Sequence, residues 1–379
     1  MNNFALLHDS PCPHAAYPPP RDDTVLSNAS PIVLGVLTTP SSPQPDLILS
    51  TWASLLPDAA VGVRFVRECS GSRSATRRFV CVDQCARDPK AIAWLRLAPS
   101  LFPRARWIGK VDDDAYVQTV QVHSDLSQLE PRASAYGLIN LLRRAKPWRP
   151  TLVDPRFGGN LEDFGVDPIQ KVRWKFSPFL MGAAYVLSRD LLQLASAEMA
   201  ALWARVRDAN ATEMAWRPKE DAIVGHAIHQ AARRARRTYR LHHLTWTRLH
   251  NFPAQCGRAG CGAKRKAGGM GWVYPSAAST IVHWLKSGGG GFGWERTHAV
   301  LRRAHVPAFA PFVFTWNASR GSGGRFEADE AVRRRWASYR RHCWIFGCHA
   351  PHRGANLSEW IAGVDLTGDG GPGGNVRRK

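Results

Sequence analysis

The sequence predicts an α/β fold in which a parallel or mixed sheet is flanked by helices. Short apolar runs that are typical of buried strands alternate along the chain with segments of helical periodicity. The interval between them suits crossover helices between parallel strands. With 379 residues, 44% of them hydrophobic, the chain can bury a large core. Its length suits one large globular domain with insertions, or two smaller domains.

The first half of the chain supplies the amino-terminal elements of this sheet. An apolar run, a helical stretch that carries Trp52, a second apolar run, a helix that opens on an Asp-Pro pair and a third apolar run follow one another. We predict strands at 32–39, 61–69 and 107–111, and helices at 47–56 and 88–99. Residues 1–30 are Pro-rich and polar, and we expect a loose leader there.

The second half continues the alternation and ends in a basic segment. FSPFLMGAAYVLS is predicted to be a small-residue turn and a strand that runs into a long helix. We predict helices at 120–129, 189–206 and 219–235, strands at 135–141 and 280–286, an insertion at 144–175 and a loop at 251–271. Beyond a glycine-rich connection, residues 288–379 form a basic Gly/Arg-rich extension of unknown role.

The charge balance is strongly basic. The formal net charge is +21 and the isoelectric point is near 10.3, so the field attracts nucleic acid, anionic surfaces or phosphorylated substrates. Solvated arginines on exposed faces would explain the same composition. No recognisable nucleic-acid module is present in the sequence, so we expect no specific nucleic-acid partner. An anionic surface that binds the basic tail is an alternative partner.

Cysteines and glycosylation sites favour a secretory route. Three close pairs, Cys81/Cys85, Cys256/Cys261 and Cys343/Cys348, fit disulfides in an oxidising lumen. Half a zinc site is the alternative for the second and third pairs. Sequons lie at Asn28, Asn210, Asn317 and Asn356. The N-terminus shows no pattern of a signal peptide or a membrane anchor.

Three consecutive aspartates end the run WIGKV. On a strand, alternate side chains face the same way, so Asp112 and Asp114 would project together while Asp113 turns aside. Two carboxylates aimed at one point repel each other unless a cation lies between them. The carboxyl edge of an α/β sheet is also where ligands bind. We therefore predict a site for Mn²⁺ or Mg²⁺, with a solvated acidic turn as the alternative.

Two further polar positions along the chain, the Glu220–Asp221 pair and His283, are candidates for the same site. Glu220 and Asp221 open a predicted helix, where they could simply complement the helix dipole. His283 lies within an otherwise apolar strand, where a core histidine is the ordinary interpretation. Neither position decides the function by itself.

Together the motifs resemble glycosyltransferase family 31, the inverting β-1,3-galactosyl-, N-acetylglucosaminyl- and Fringe-type enzymes. The matching blocks are VLGVLTT with the downstream STW that contains Trp52, then WIGKVDDDAYV, FSPFLMGAAYVLS, KEDAIVG and TIVHWLK, in the order of the family. The resemblance covers roughly residues 31–287. It implies a GT-A fold, a Rossmann-like mixed sheet flanked by helices, in a single catalytic domain at 31–287 that precedes the C-terminal extension.

The resemblance also implies roles for the metal-site residues. Asp114 would ligate the metal, with support from Asp112 and Asp113, and His283 would complete the site. Asp113 would also support the ribose of the donor. The metal would bridge the diphosphate of a UDP-sugar and stabilise the leaving UDP.

The remaining roles concern the acceptor and the donor sugar. Asp221 would be the general base, with Glu220 orienting it or holding the start of the helix. Lys110 would either assist at the phosphates or balance the aspartates. Gly182 and Ala183 would let backbone approach the donor sugar closely, although a tight strand entry would use small residues equally well.

The resulting hypothesis is an inverting, metal-dependent hexosyltransferase that moves galactose or N-acetylglucosamine from a UDP-sugar to a hydroxyl of a glycan or glycoprotein. The linkage would be β-1,3, and the Golgi or secretory lumen is the expected compartment. The competing hypothesis is a catalytically silent glycan- or polyanion-binding protein on the same fold. The joint presence of DDD, ED and HWLK favours the enzyme, because a binding module needs no base beside a metal site.

Overall fold

The described residues of the computed structural model form a large mixed sheet, a small sheet and the helices that cover them. They are residues 30–39, 41–68, 78–82, 89–146, 149–153, 175–208, 220–244, 248–251, 279–283, 285, 294–302, 312–317, 325–327 and 330. No helix within these ranges is long and apolar enough to cross a membrane.

The strands and helices have the following bounds. The strands are β1 (Ile32–Leu37), β2 (Val61–Glu68), β3 (Phe79–Val82), β4 (Trp107–Asp112), β5 (Ala115–Val117), β6 (Ser134–Lys146), β7 (Arg149–Val153), β8 (Lys175–Ser188), β9 (Tyr239–His243), β10 (Leu249–Asn251), β11 (Ile281–His283), β12 (Phe312–Asn317) and β13 (Arg325–Glu327). The helices are α1 (Gln44–Ser50), α2 (Lys90–Leu101), α3 (Thr119–Ser127), α4 (Arg189–Asp208), α5 (Glu220–Arg234) and α6 (Trp294–Leu301), with a short 3₁₀ helix at Trp52–Ser54.

The large sheet has the strand order β13-β12-β9-β6-β8-β4-β1-β2-β3, and β7 pairs with β6. Strands β4, β1, β2 and β3 are parallel to one another, whereas β8 is antiparallel to both β4 and β6. The small sheet has the order β10-β11-β5. A mixed sheet with helices on both faces confirms the predicted α/β class.

The parallel strands are mostly apolar because helices cover both of their faces. In β1, five of six residues are buried. Gly35 lies beneath the ring of Trp94 of α2, and a Cβ atom there would lie 2.2 Å from the ring. The indole Nε1 of Trp94 donates to the carbonyl oxygen of Gly109 at 2.8 Å. The glycine therefore lets α2 pack closely against β1 and β4.

Two clusters of buried side chains form the core. One lies where α2, α4 and α5 cover the sheet and includes Trp94, Leu191 and Ile228. The other includes residues of α1, the 3₁₀ helix, α3, α6 and the small sheet, with Trp52 fully buried in it. The small sheet therefore packs on the face of the large sheet opposite α4 and α5.

Several details differ from the sequence prediction. Seven strands were not predicted, namely β3, β5, β7, β9, β10, β12 and β13. Because β3 precedes it, WIGKV is the fourth strand rather than the third. The predicted helix at 47–56 is α1, which starts earlier and ends at Ser50, followed by the 3₁₀ helix. The predicted small-residue turn in FSPFLMGAAYVLS is wrong, because β8 continues through it.

The irregularity in this part of β8 takes another form. Ile139 of β6 pairs with Leu180, but Gly137 pairs with Tyr185. Between these two pairs, four residues of β8 thus lie opposite a single residue of β6, Leu138, so the register shifts there. Gly182 lies in the part of β8 that leaves the pairing with β6, and this shift decides where its backbone points.

The C-terminal part of the chain contributes to the same sheet. β12 is antiparallel to β9, and β13 is antiparallel to β12. The predicted boundary at residue 287 therefore separates strands that the structure places in one sheet. Residues 1–29 of the predicted leader, the loops at 71–77 and 252–271, and most of the basic tail lie outside the described residues.

Candidate active site

Asp112, Asp114 and His283 meet at the carboxyl edge of β4. Asp112 ends β4, a two-residue turn follows, and β5 starts at Ala115. β11 is antiparallel to β5, with His283 opposite Ala115. This register brings the imidazole Nε2 to 3.3 Å from Asp112 Oδ2 and 3.0 Å from Asp114 Oδ1.

These three side chains could hold one metal ion. Their ligand atoms lie within 4.8 Å of one another. Two carboxylates and an imidazole are oxygen and nitrogen ligands that Mn²⁺ accepts, and the carboxylates also suit Mg²⁺. His283 is 8% exposed. Burial lowers its pKa, but the hydrogen bonds with Asp112 and Asp114 outweigh burial and raise the pKa above its ordinary value.

Asp113 points away from this group. Ser42 Oγ donates to its Oδ2 at 3.0 Å. Burial raises the pKa of Asp113 above its ordinary value, although Ser42 and Thr38 donate hydrogen bonds to it. Ser42 was not singled out in the sequence. It follows β1, whose carboxyl end lies beside that of β4, with Leu37 opposite Asp112, so the strand order would have indicated it.

Lys110 lies fully buried behind the aspartates. Its Nζ donates to Asp112 Oδ1 and to the carbonyl oxygen of Gly182 and lies 3.6 Å from Glu220 Oε1. Burial lowers its pKa, but nearby carboxylates outweigh burial and raise the pKa above its ordinary value. Lys110 has no exposed side-chain area and lies among the carboxylates, and its role stays a prediction.

The lysine in turn acts on Asp112. Burial raises the pKa of the Asp112 carboxyl, but Lys110 and His283 outweigh burial and lower the pKa below its ordinary value. Lys110 thus contacts one oxygen of the Asp112 carboxylate, and His283 contacts the other. The pairing stabilises the charged form in which a carboxylate ligates a metal.

Asp221 and Gly182 join the start of α5 to β8. The backbone N–H of Gly182 donates to Asp221 Oδ2 at 3.0 Å, and Asp221 is 8% exposed. A Cβ atom at Gly182 would lie 3.1 Å from Asp221 Oδ2 and 3.6 Å from Lys110 Nζ. The glycine therefore leaves room for the carboxylate and the ammonium side by side. Lys110 links this group to the metal-site carboxylates through Asp112 and Gly182.

The other sequence-predicted residues lie in the core. Ala183 is 1% exposed, and Trp52 is fully buried with its carbonyl oxygen accepting from Thr119 Oγ1 at 2.9 Å. Both belong to the cluster of buried side chains that underlies β5 and β11. Cys81 lies on β3, and Cys85 and the other two predicted pairs lie outside the described residues, so the pairings stay predictions.

Comparison with known proteins identifies the domain. Residues 88–207, which include β4, the three aspartates and Gly182, match the family model described as Galactosyltransferase. This match agrees with the resemblance of the motifs to glycosyltransferase family 31. The chain is a glycosyltransferase, as the order of its motifs indicated.

The other two comparisons add little. No curated protein matches the chain significantly. A solved structure described as a glycosyltransferase involved in the glycosylation of the major capsid of PBCV-1 is 12% identical. The alignment covers 49% of this chain and 72% of that chain, with a TM-score of 0.24. A TM-score of 0.24 does not establish a shared fold between the two chains.

Proposed function

We propose that this glycosyltransferase is an inverting, metal-dependent hexosyltransferase that uses a UDP-sugar. Galactose or N-acetylglucosamine is the sugar we expect, and a β-1,3 linkage to a glycan or glycoprotein is the product. The observation that supports the proposal is the proximity of two groups. Asp112, Asp114 and His283 could hold a metal, and Lys110 joins them to the Gly182–Asp221 pair.

The metal-site residues have the binding role. Asp112, Asp114 and His283 would hold Mn²⁺ or Mg²⁺, which when bound neutralises the diphosphate and the charge that develops on the leaving UDP. Asp113 lies beside them with its Oδ2 fixed by Ser42, a placement that suits a contact with the ribose. These assignments rest on the resemblance to the family and on the geometry of the group.

Asp221 has the proton-transfer role. The carboxylate would accept the proton of the acceptor hydroxyl as that oxygen attacks the anomeric carbon, while the bond from that carbon to the UDP oxygen breaks. A single displacement of this kind inverts the configuration. The Gly182 N–H holds Oδ2 of Asp221, and a fixed carboxylate is what such a base requires.

We further propose that the protein follows the secretory route to the Golgi lumen. The spacing of the cysteines and the four sequons support this compartment. Asn317, one of the four, ends β12 at the partly exposed end of that strand. Endoglycosidase treatment of the protein from secretory cells would shift its electrophoretic mobility if the sequons are used, and an unchanged mobility contradicts the proposal.

The test of the proposed activity is a calorimetric titration of UDP into the protein. Binding with Mn²⁺ should be lost with EDTA and in Asp114→Ala, because the diphosphate then has no cation partner. Ser50→Ala is the matched control, since this exposed hydroxyl lies on α1 and donates to the Leu47 carbonyl oxygen of the same helix. Folded protein that binds no UDP under either condition contradicts the proposal.

The binding-protein alternative would give a different result in the same samples. Heparin affinity that falls steeply with salt, together with the absence of UDP affinity, would favour it. A donor screen with UDP-galactose and UDP-N-acetylglucosamine, followed by linkage analysis of the product, would then fix the sugar and the linkage for the enzyme.

A further inference from the structure

A second polar cluster lies at the other end of β11 from His283. Arg248 precedes β10, and its guanidinium donates from Nε to Thr280 Oγ1 at 2.9 Å and from Nη2 to Asp125 Oδ2 at 3.1 Å. Tyr136 of β6 donates to the same Asp125 oxygen at 2.5 Å, and Gln121 of α3 donates to the other at 2.6 Å. We call these five residues the Arg248 cluster.

The Arg248 cluster is completely enclosed. Its members are between 0% and 4% exposed. Burial raises the pKa of Asp125 above its ordinary value, although Arg248 and two further hydrogen bonds lower it. The surroundings therefore do not fully offset the cost of burying this carboxyl. A buried ion pair of that kind contributes more to the choice of one conformation than to the free energy of unfolding.

The cluster ties the small sheet to two elements of the main domain. The carbonyl oxygen of Arg248 accepts from the backbone N–H groups of Thr280 and Ile281 at 2.7 and 2.9 Å, and Gln118 N–H donates to the Thr280 carbonyl oxygen at 2.8 Å. Asp125 lies on α3 and Tyr136 on β6. Arg248 is thus held by Asp125 of α3, and Thr280 is held by Arg248 and by the backbone of Gln118.

Hydrophobicity alone does not set the register of β11. All three of its residues are buried, and all three residues of its partner β5 are buried. Without an alternation of buried and exposed positions, a slipped pairing buries the same side chains. A slip of two residues keeps the side chains on the same face but moves them by about 7 Å. The contacts of His283 with the aspartates, at 3.0 and 3.3 Å, would not survive such a slip.

We propose that the Arg248 cluster is a positioning device that fixes the register of β11 against β5 and so holds His283 at the carboxylates of Asp112 and Asp114. The claim about His283 as a ligand rests on the proposed function, whereas the claim about the register does not. Thr280 lies three positions before His283 on the same segment, so an anchor at Thr280 sets the position of the imidazole along the strand.

The test uses two independent measurements on the full chain. The first is hydrogen exchange by mass spectrometry in EDTA, on peptides that cover 248–251 and 279–285, with β1 as the internal reference. The second is pulsed electron paramagnetic resonance of bound Mn²⁺, in which an imidazole nitrogen ligand gives a ¹⁴N modulation. His283→Ala shows the spectrum without that ligand.

The variants separate geometry from charge. Thr280→Val keeps the branched shape but leaves Arg248 Nε without its acceptor, and we expect exchange at 279–285 to rise about tenfold. Arg248→Met should raise it further and remove the ¹⁴N modulation. Arg248→Lys keeps the charge but not the two diverging donors, so it should resemble Arg248→Met rather than the wild type. If Arg248→Met does not fold, hydrogen exchange at 279–285 in Thr280→Val decides the test.

Thr297→Val is the matched control. Thr297 is a fully buried threonine of α6, and its Oγ1 has no hydrogen-bond partner within the described residues. Its replacement should leave exchange at 279–285 and the ¹⁴N modulation unchanged. The same increase in exchange in Thr297→Val as in Thr280→Val would overturn the proposal.

The outcomes distinguish this proposal from the proposed function. Wild-type exchange at 279–285 in folded Arg248→Met and Thr280→Val would overturn the positioning role. If the wild type binds no Mn²⁺ but the variants lose protection at 279–285, the register claim holds and the metal-dependent activity fails. Loss of protection together with loss of the ¹⁴N modulation supports both.

Discussion

Two buried histidines at strand ends differ in the groups that surround them. His283 ends β11 beside two carboxylates, which raise its pKa above the ordinary value. His243 ends β9, is 2% exposed and has a pKa lowered to about 3 by burial. Its Nδ1 accepts from the backbone N–H of Ile139 at 3.0 Å. Burial by itself makes a histidine a neutral core residue, and only the aspartates make the other one a candidate ligand.

The same contrast extends to the regions around the two histidines. The carboxylate edge of the sheet contains Asp112, Asp114 and Asp221 with Lys110 among them. The region of β9 and β12 has buried aromatic and histidine side chains instead, with the ring centroids of His229 and Trp316 4.6 Å apart in an edge-on arrangement. Changes at the carboxylate edge should therefore affect activity, and changes in the β9 region should affect stability.

The largest expected effect is that of Asp221→Asn. The amide keeps the shape but accepts no proton, so kcat should fall by about 10²–10⁴-fold, while the melting temperature changes little because the side chain is isosteric. Steady-state kinetics and thermal unfolding measure the two quantities. Full transfer activity in the folded variant would show that another group is the base.

The second prediction compares the replacement of each of the two histidines by alanine. His283→Ala should weaken Mn²⁺ binding by at least about tenfold. His243→Ala should leave the metal site intact but lower the free energy of unfolding by about 2–4 kcal/mol, through a cavity and an unpaired backbone N–H at Ile139. Metal titration and urea unfolding in EDTA measure both effects. The contrast fails if His243→Ala weakens Mn²⁺ binding as much as His283→Ala does.

The grouping of Asp112, Asp114 and His283 was easier to predict than the contacts that support it. The alternation of side chains along a strand places Asp112 and Asp114 together and Asp113 apart, and the strand with His283 is a short apolar run. Both signals are local. They fix which residues face one another once the strands pair, and the structure brings those residues together.

The supporting contacts could not be predicted in this way. Gly182 and Asp221 are 39 positions apart, and Arg248 and Asp125 are 123 positions apart. The shift of register between β6 and β8 decides where Gly182 points, and no spacing in the sequence encodes it. The strands β3, β9 and β12 were missed for a related reason, because short strands of four to six residues are stabilised by their neighbours more than by their own pattern.

The third prediction concerns acid stability. For His243 the folded pKa, about 3, lies below the ordinary value of 6.5, so between these values the unfolded chain binds a proton that the folded chain does not. Stability is then full above about pH 6.5 and falls as the pH drops toward 3. His229 and His242, with pKa values lowered to about 4, add to the effect.

The measurement is the free energy of unfolding in urea from pH 7 to pH 4. We expect a loss of a few kcal/mol, since each unit of pKa shift is worth about 1.4 kcal/mol. His243→Gln, which keeps a polar side chain but has no imidazole to protonate, should flatten the slope. An unchanged slope in that variant would exclude His243 as the origin of the acid sensitivity.

The smallest effect is expected for Gly182→Ala, which tests how closely β8 packs against the start of α5 at Asp221. The added Cβ would lie 3.1 Å from Asp221 Oδ2, so the carboxylate must move by a few tenths of an ångström. We expect kcat to fall a few-fold, because a base displaced by a fraction of its hydrogen-bond length loses alignment, with a change in stability of about 1 kcal/mol or less. Gly62→Ala on β2 is the control, since its Cβ meets the Ser30 hydroxyl at 2.9 Å far along the sheet and should alter stability alone. If both variants keep wild-type kcat, the close approach of Gly182 to Asp221 has no part in orienting the base.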